Sequence, residues 1–365
     1  MSIELEAARE EIKEADRAIA ELFVKRMRAA ENVAEYKREH GLPVLDAAQE
    51  KRVIERNAAY VEDDVIRDYY IEFLKETMAL SRAYQSRLLE GAKVAYSGVE
   101  GAFAHIAANR IFPHANAVSY ASFEEAYDAV VRREADAAVL PIENSYAGEV
   151  GPVLDLVYGG ELHVTGIYSL PVKQNLLSVG GAGVSDIKTV ISHPQALTQC
   201  EKYIKKMGWK AIPASNTAAA AKEVAEKGDA SVAAIASEKT AELYGLDVLE
   251  SEINESAENT TKFAVFARSE NEGRSKKENK FILVFTTKHT AGSLSRAINV
   301  IGEAGFNMLC IRSRPVKESP WQYYFYIEAE GDEKSEAGKR MIKELEGVCE
   351  QLKVVGRYSA QINIG

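Results

Sequence analysis

The first 40 residues contain the feature that most constrains the fold, an apolar seam at helical spacing. Apolar or small side chains recur at alternating intervals of three and four; they are Leu5, Ala8, Ile12, Ala15, Ile19, Leu22, Ala29, Val33 and Tyr36. This spacing predicts one long helix, which ends at the break formed by Gly41 and Pro43. Two further helices are expected over about 47–60 and about 64–89. Because so long an apolar seam needs a partner, we expect an intertwined homodimer or a higher homo-oligomer.

The remainder of the chain follows different patterns. Residues 92–268 alternate short apolar runs with helical stretches, which predicts an α/β region, in one body or two lobes. Residues 269–280 carry many charges and no large apolar side chain, so they are interpreted as a linker or as an exposed loop within one domain. Residues 281–365 follow the order βαββαβ, a ferredoxin-like sandwich. With the helical domain at 1–90, the fold class is multidomain.

The composition excludes several classes of function. A net charge of −10 disfavours nucleic acid and acidic membranes as partners. The three cysteines form no CxxC motif, so neither a disulfide framework nor a zinc site is expected. No stretch approaches the roughly 20 apolar residues of a membrane span, and the first residues do not resemble a signal peptide. We therefore expect a cytoplasmic protein without cofactor or metal.

Polar residues interrupt the buried faces of the predicted helices. The cations Arg26 and Lys37 each stand four residues after an apolar seam position, where another apolar residue is expected. Buried cations are costly unless an anion pairs with them, although long side chains can also extend to water. Several polar side chains converge with these two in a layout suited to a small dianion; they are Arg9, Asp46, Glu50, Ser81 and Gln85.

Residues 3–90 resemble the all-helical chorismate mutase family through these positions and Asp16. The resemblance implies that Arg26 and the partner subunit's Arg9 clamp the two carboxylates of chorismate. It implies that Lys37 and Gln85 bind the ether oxygen, that Glu50 and Asp46 bind the ring hydroxyl region, and that Ser81 binds a carboxylate. Gln49 occupies a position that is often arginine in the family, so one carboxylate contact is expected to differ. The rearrangement is pericyclic and needs only a folded substrate and well-placed donors.

Five short segments of the middle region follow or lead into predicted strands, where α/β proteins bind ligands. They are the glycine turn 98–105, Pro141–Asn144 (PIEN), Ser192–Gln195 (SHPQ), Ser215–Thr217, and Thr261–Phe263. Each also has a structural interpretation, such as a helix cap or a loop histidine. In this order they resemble prephenate dehydratase.

That resemblance implies two α/β lobes around a cleft, similar to periplasmic-type binding proteins. Thr261 is the expected donor to the leaving ring hydroxyl. The residues expected to position the substrate are Glu143, Asn144, Ser192, Gln195, Thr217, Lys262 and Phe263. Lys262 stands where the family usually has arginine, so it keeps the charge and loses the bidentate fork.

The C-terminal region resembles the ACT domain, in which two copies bind phenylalanine at their interface. The matching residues, expected to bind this effector, are Gly292, Ser293, Leu294, Arg312, Ser313, Arg314 and Pro315. Ser293 and Arg312 replace the family's alanine and glutamate, and a guanidinium near an amino-acid ligand could weaken recognition of its ammonium group. A purely structural dimerisation module is the alternative.

Together the resemblances predict an enzyme that converts chorismate to prephenate and prephenate to phenylpyruvate, with feedback inhibition by phenylalanine. One alternative is a dehydratase with a non-catalytic helical dimerisation arm. Another is a non-catalytic amino-acid-binding regulator.

Overall fold

The computed structural model describes residues 3–256, 258–270, 280–317, 319–359 and 362–365. Most of the expected linker at 269–280 lies outside the described residues. Contacts divide the chain into two compact units, Met1–Lys93 and Val94–Gly365. The finer division of the second unit into the expected domains stays a prediction. No helix in the described ranges is long and apolar enough to cross a membrane.

Three helices form the first unit: α1 (Ile3–Glu39), α2 (Ala47–Ala58) and α3 (Asp64–Glu90). They confirm the three helices predicted from the sequence. The carboxylates of Asp46 and Asp63 cap the second and third helices by accepting backbone N–H groups of the first turn. These caps explain why the helix starts could be placed from the sequence.

The seam of α1 is largely exposed in the single chain. Ile12, Ile19 and Leu22 are 60%, 50% and 64% exposed. Ala30 and Ala34, further along the helix, are buried. The first half of α1 therefore presents an apolar stripe that the described residues do not cover.

Two β-sheets share the middle region of the chain. The first has the strand order β16-β5-β11-β3-β1-β2, with β4 paired to β3, and the second has the order β10-β6-β9-β7-β8. The chain leaves the first sheet after β5, builds the second sheet, and returns through β11. The strands are β1 (Lys93–Ser97), β2 (Asn116–Tyr120), β3 (Ala137–Asn144), β4 (Gly148–Glu149), β5 (His163–Pro171), β6 (Asn175–Ser178), β7 (Thr189–Ser192), β8 (Lys210–Pro213), β9 (Val232–Ala236), β10 (Asp247–Glu250), β11 (Thr260–Ala267) and, near the end of the chain, β16 (Ile362–Asn363).

Helices cover both sheets through buried apolar side chains. They are α4 (Phe103–Ile111), α5 (Phe123–Val131), α6 (Gly151–Gly159), α7 (Pro194–Gln199), α8 (Glu201–Met207), α9 (Thr217–Lys227) and α10 (Glu238–Tyr244). A short 3₁₀ turn lies at Val184–Asp186.

The C-terminal region has the βαββαβ order predicted from the sequence. Its antiparallel sheet has the order β13-β14-β12-β15. The elements are β12 (Lys280–Thr286), α11 (Ser293–Glu303), β13 (Asn307–Pro315), β14 (Tyr323–Glu330), α12 (Glu336–Val348) and β15 (Gln351–Tyr358).

Alternating residues of this sheet enter two different cores. Phe281 and Leu283 of β12 pack under α11 and α12. Ile282 and Val284 face the other way and share a core with the α5 and α6 side chains, including Leu154. The C-terminal sheet is therefore packed directly against the α/β region.

Candidate active sites

Polar side chains of α1 and α3 meet in the helical unit. Arg26 donates from Nη1 to the hydroxyl of Ser81 and, at 3.3 Å, to the carbonyl of Thr77. Further along α1, Lys37 Nζ donates to Gln85 Oε1 at 3.5 Å. Ser81 and Gln85 are only 5% and 7% exposed. Because polar groups are buried here, the structure favours a polar site over a solvated helix face.

Glu50 from α2 joins this group. Its Oε1 accepts from the guanidinium of Arg82 on α3. Burial lowers the pKa of Arg26, and the nearby Glu50 carboxylate opposes that shift. Arg82 was missed by the sequence analysis, since one arginine among the charges of α3 gives no signal until its partner is known. The group combines cationic donors, a carboxylate and an amide, which suits an anion that also carries hydroxyl and ether oxygens.

Three further predicted contact residues have no hydrogen bond to this group among those described in the single chain. Arg9 is exposed on α1, and Arg26 follows 17 positions later (26 minus 9), about 25 Å along the helix. The carboxylate of Asp46 caps α2, and Gln49 Oε1 accepts from Arg52 at 2.9 and 3.1 Å. Their assignment to the site stays a prediction, and for Arg9 it requires the partner subunit.

The second candidate site is a cavity of about 460 Å³ whose walls come from both sheets of the middle region. The predicted site residues that line it are Asn144, Gln195, Thr217, Thr261 and Phe263. The structure thus brings together residues that are far apart in the chain, because the motifs sit at strand ends that meet across the cavity.

The orientation of Asn144 follows from its hydrogen bonds. Its Oδ1 accepts from the backbone N–H groups of Tyr146 and Ala147 at 3.0 and 2.9 Å. Its Nδ2 consequently points the other way and donates at 2.9 Å to both Asn259 Oδ1 and Thr261 Oγ1. Two backbone donors thus determine which end of this amide meets the threonine.

Thr261 is held as a hydroxyl that can donate into the cavity. Its oxygen accepts from Asn144, and its side chain is 9% exposed. Since the oxygen acts as the acceptor in that bond, the hydroxyl proton remains available for another group. A ligand in the cavity is the natural acceptor.

Helix N-termini surround the cavity. The first residues or caps of α4, α6, α7 and α9 line it, namely Phe103, Gly151, His193 and Asn216. No lysine or arginine of the described residues is among its lining. Glu149 is the one carboxylate among the described lining residues, and it pairs with Arg314 at 3.0 Å. Each helix N-terminus carries about half a positive charge, so these termini are the feature of the cavity that favours an anion.

Two glutamines of the cavity were not predicted from the sequence, and one histidine had no assigned role. Gln174 and Gln199 line the cavity and are 2% and 3% exposed. Gln174 Nε2 donates to Gln199 Oε1 at 3.2 Å. His193 Nδ1 accepts from the backbone N–H of Gln195 at 3.2 Å, and burial lowers the pKa of this histidine. Gln199 lies four residues after Gln195 on α7, a spacing that could have pointed to it.

Three predicted substrate contacts must be corrected, because they lie outside this cavity. The hydroxyl of Ser192 is completely buried and donates to the carbonyl of Ile235 at 2.5 Å. Glu143 and Lys262 precede and follow the cavity residues Asn144 and Thr261 on their strands. Side chains alternate across a sheet, so Glu143 and Lys262 point to the opposite face.

The expected effector contacts of two arginines also need correction. Arg312 Nη2 lies 2.6 Å from Glu143 Oε1. Arg314 lies 2.9 Å from Asp155 and 3.0 Å from Glu149. Both side chains face the α/β region, because this face of β13 packs against it.

The other expected effector residues lie elsewhere. Gly292 has a φ of 81° and precedes α11. Ser293 is buried and contacts the hydroxyl of Thr290 at 2.7 Å. Leu294 packs against the core below α11, whereas Ser313 and Pro315 are exposed on β13. Phenylalanine binding by these five residues stays a prediction.

No cluster of potential metal ligands occurs within the residues that the structure describes. The thiols of Cys200, Cys310 and Cys349 are free.

Comparisons with known proteins match the two regions of the chain that contain these sites. Residues 8–86 match the model of the type II chorismate mutase family, and residues 94–271 match that of prephenate dehydratase. A bifunctional chorismate mutase/prephenate dehydratase of Enterobacter agglomerans is 30% identical over 97% of this chain and 96% of that protein.

Two further relatives match about three quarters of the chain. An arogenate dehydratase/prephenate dehydratase of Arabidopsis thaliana is 35% identical over 73% of this chain and 72% of that protein. The structure of prephenate dehydratase from Arthrobacter aurescens, in complex with L-Phe, superposes with a TM-score of 0.68 at 26% identity, and covers 73% of this chain and 90% of that one. The chain belongs to the bifunctional chorismate mutase/prephenate dehydratase family.

Proposed function

We propose that the two sites act in sequence in this enzyme of phenylalanine biosynthesis, which has chorismate mutase and prephenate dehydratase activities. The helical site rearranges chorismate to prephenate, and the cavity of the second unit converts prephenate to phenylpyruvate. The observation that carries this assignment is the hydrogen-bonded pair Asn144–Thr261, which presents a hydroxyl donor inside an anion-favouring cavity.

In the helical site, the protein binds the substrate in a reactive conformation and stabilises charge. Arg26 and Ser81 bind a carboxylate, and Lys37 and Gln85 donate to the ether oxygen as its bond breaks. Glu50 accepts from the ring hydroxyl. The contacts of Arg26 with Ser81 and of Lys37 with Gln85 support this division, because each pair is already preassembled.

In the cavity, aromatisation drives the reaction. The bond from the ring to its carboxylate breaks and releases CO₂, the electron pair enters the ring, and the hydroxyl on the opposite ring carbon leaves, taking up one proton from solvent to become water. Thr261 donates a hydrogen bond to that leaving oxygen. Helix N-termini and the amide of Gln195 hold the carboxylate that remains.

The substitution Thr261→Val tests this role, since it keeps the shape and removes the hydroxyl. We expect the conversion of prephenate to phenylpyruvate to fall at least a hundredfold, while the conversion of chorismate to prephenate is unchanged. Thr261→Ser, which keeps the hydroxyl, is the matched control. Full dehydratase activity in Thr261→Val would refute the role.

The C-terminal region acts as an ACT domain that binds phenylalanine and inhibits the dehydratase. The relative that was solved with L-Phe supports this assignment. Gly292, Ser293, Leu294, Ser313 and Pro315 are its proposed contacts. Titration calorimetry with phenylalanine tests it, and absence of heat at millimolar concentration would overturn it.

The exposed seam of α1 forms a homodimer that brings Arg9 to the partner's site. Light scattering should give twice the chain mass, and Leu22→Glu should halve that mass and abolish the mutase activity.

A cytoplasmic location is also proposed, since free thiols persist in a reducing compartment. The two-lobed, binding-protein-like description of the α/β region fits its two sheets with the cavity between them.

A further inference from the structure

Arg312 of the C-terminal sheet reaches a carboxylate behind the dehydratase cavity. Its Nη2 lies 2.6 Å from Glu143 Oε1, and Lys262 Nζ lies 2.8 Å from Glu143 Oε2. Each carboxylate oxygen therefore has its own cation. Burial would raise the pKa of Glu143, but Lys262 and Arg312 outweigh it and hold this pKa below the ordinary value.

The register places this cluster directly behind the reacting groups. Lys262 lies opposite Glu143 in the β3–β11 ladder, and Thr261 lies opposite Asn144 at the neighbouring position. The cluster and the Asn144–Thr261 pair therefore occupy opposite faces of the same two strand ends. A displacement of Glu143 shifts the backbone that sets how the amide meets the hydroxyl.

Arg312 is itself held firmly by the C-terminal sheet. Its side chain is 11% exposed, and its guanidinium lies 5.3 Å from the ring centroid of Tyr326. Its Nη1 is 3.7 Å from Glu328, whose carboxylate accepts from the hydroxyls of Tyr326 and Tyr358 at 2.8 Å. Because these contacts fix the guanidinium relative to the C-terminal sheet, the position of that sheet determines where Arg312 holds the carboxylate of Glu143.

A neighbouring contact ties the same strand to the cavity wall. Arg314, two residues along β13, pairs with Glu149 and Asp155. Glu149 and Gly151 line the cavity, and the guanidinium of Arg314 fills the space that a side chain at Gly151 would need. Strand β13 thus contacts the supporting structure of the site at two points.

We propose that Arg312 is a positioning residue for the dehydratase reaction, which anchors Glu143 from the C-terminal sheet and so sets the geometry of Asn144 and Thr261. It does not touch the substrate. The inference rests on the proposed role of Thr261 for its mechanism, whereas the effect of Arg312 on turnover is measured independently.

The test uses Arg312→Met in the full-length protein. We expect the dehydratase kcat to fall about ten- to hundredfold with a smaller change in KM, because a displacement of about 1 Å suffices for such a loss. Chorismate mutase activity of the same samples should stay constant and reports the folded first unit, whereas the fluorescence of Trp209 and Trp321 reports folding of the second unit. Arg312→Lys should restore part of the turnover. Arg340→Met, an exposed arginine on α12, is the matched control and should behave as the wild type.

A double-mutant cycle distinguishes action through Glu143 from a general effect. In a Glu143→Gln background, the neutral amide needs no cation, so Arg312→Met should cost little further turnover. Equal losses in both backgrounds, or an unchanged kcat in Arg312→Met, would overturn the proposal. If Arg312→Met unfolds the second unit, Arg312→Lys decides: a folded protein with several-fold lower kcat supports the proposal, and full turnover overturns it. Full activity in Thr261→Val would refute only the role of the threonine.

Discussion

The packing of the C-terminal sheet on the first sheet depends on one glycine. Gly356 is buried on β15, and a Cβ at this position would overlap the backbone of Val164 on β5. A backbone cannot rotate away as a flexible side chain can, so Gly356→Ala must separate the two strands. Overpacking a core costs about 1–3 kcal/mol, and the rigid obstacle places this substitution near the upper limit. For a unit of this size, about 3 kcal/mol corresponds to a decrease in Tm of about 6–12 °C.

Thermal unfolding followed by tryptophan fluorescence measures the Tm of the second unit selectively. The chain has 2 tryptophans, Trp209 and Trp321, and both lie in the second unit. Gly347, exposed on α12 with no atom near its would-be Cβ, supplies the opposite control. Gly347→Ala should stabilise by up to about 1 kcal/mol, because alanine favours a helix. Equal Tm values for Gly356→Ala and the wild type would refute the reasoning.

Three further predictions follow from the sites. Arg26→Ala should lower the chorismate mutase kcat at least a hundredfold without changing the dehydratase, which separate steady-state assays will show; an intact mutase would contradict the helical site. Lys262 and Arg312 lower the pKa of Glu143 in the folded protein. Their stabilisation of the fold is complete at a pH above the unfolded carboxyl pKa of about 4.3, and it is lost as the pH falls through the lower folded pKa. Melting curves between pH 5 and about 3 should therefore show a smaller loss of Tm in Glu143→Gln than in the wild type, and identical curves would argue against it. Burial raises the pKa of Cys200 to about 12, so iodoacetamide should leave this thiol unmodified in the folded protein at pH 8, as peptide mass mapping can check; rapid labelling would contradict its burial.

Local signals explain which parts of the fold could be predicted. The carboxylate caps and the Gly41–Pro43 break gave the helix limits to within a few residues. The strand-end motifs identified Asn144 and Thr261 because ligand sites form where strands end. It was harder to predict from the sequence which side chains within each motif face the cavity. Strands β3 and β11 continue through these motifs, so one residue of alternation decides which face a side chain occupies.

The other differences between the sequence-based predictions and the structure depend on contacts between distant segments of the chain. Which face of β13 meets the α/β region cannot be read from a strand whose exposure alternates along its whole length. The direction of Arg312 and Arg314 therefore required the assembled sheet. Gln174 is a polar residue in a buried position, and its place beside the cavity depends on the crossing between the two sheets.

The ring of helix N-termini around the cavity has a consequence for mutational studies. Main-chain N–H groups remain when side chains are truncated, so alanine scanning would underestimate how strongly the protein recognises the substrate carboxylates. Only changes that alter the backbone itself, such as replacing an amide with an ester at the start of α9 or α4, would expose that contribution. The carboxylate binding that we propose for this site would therefore withstand most single side-chain substitutions.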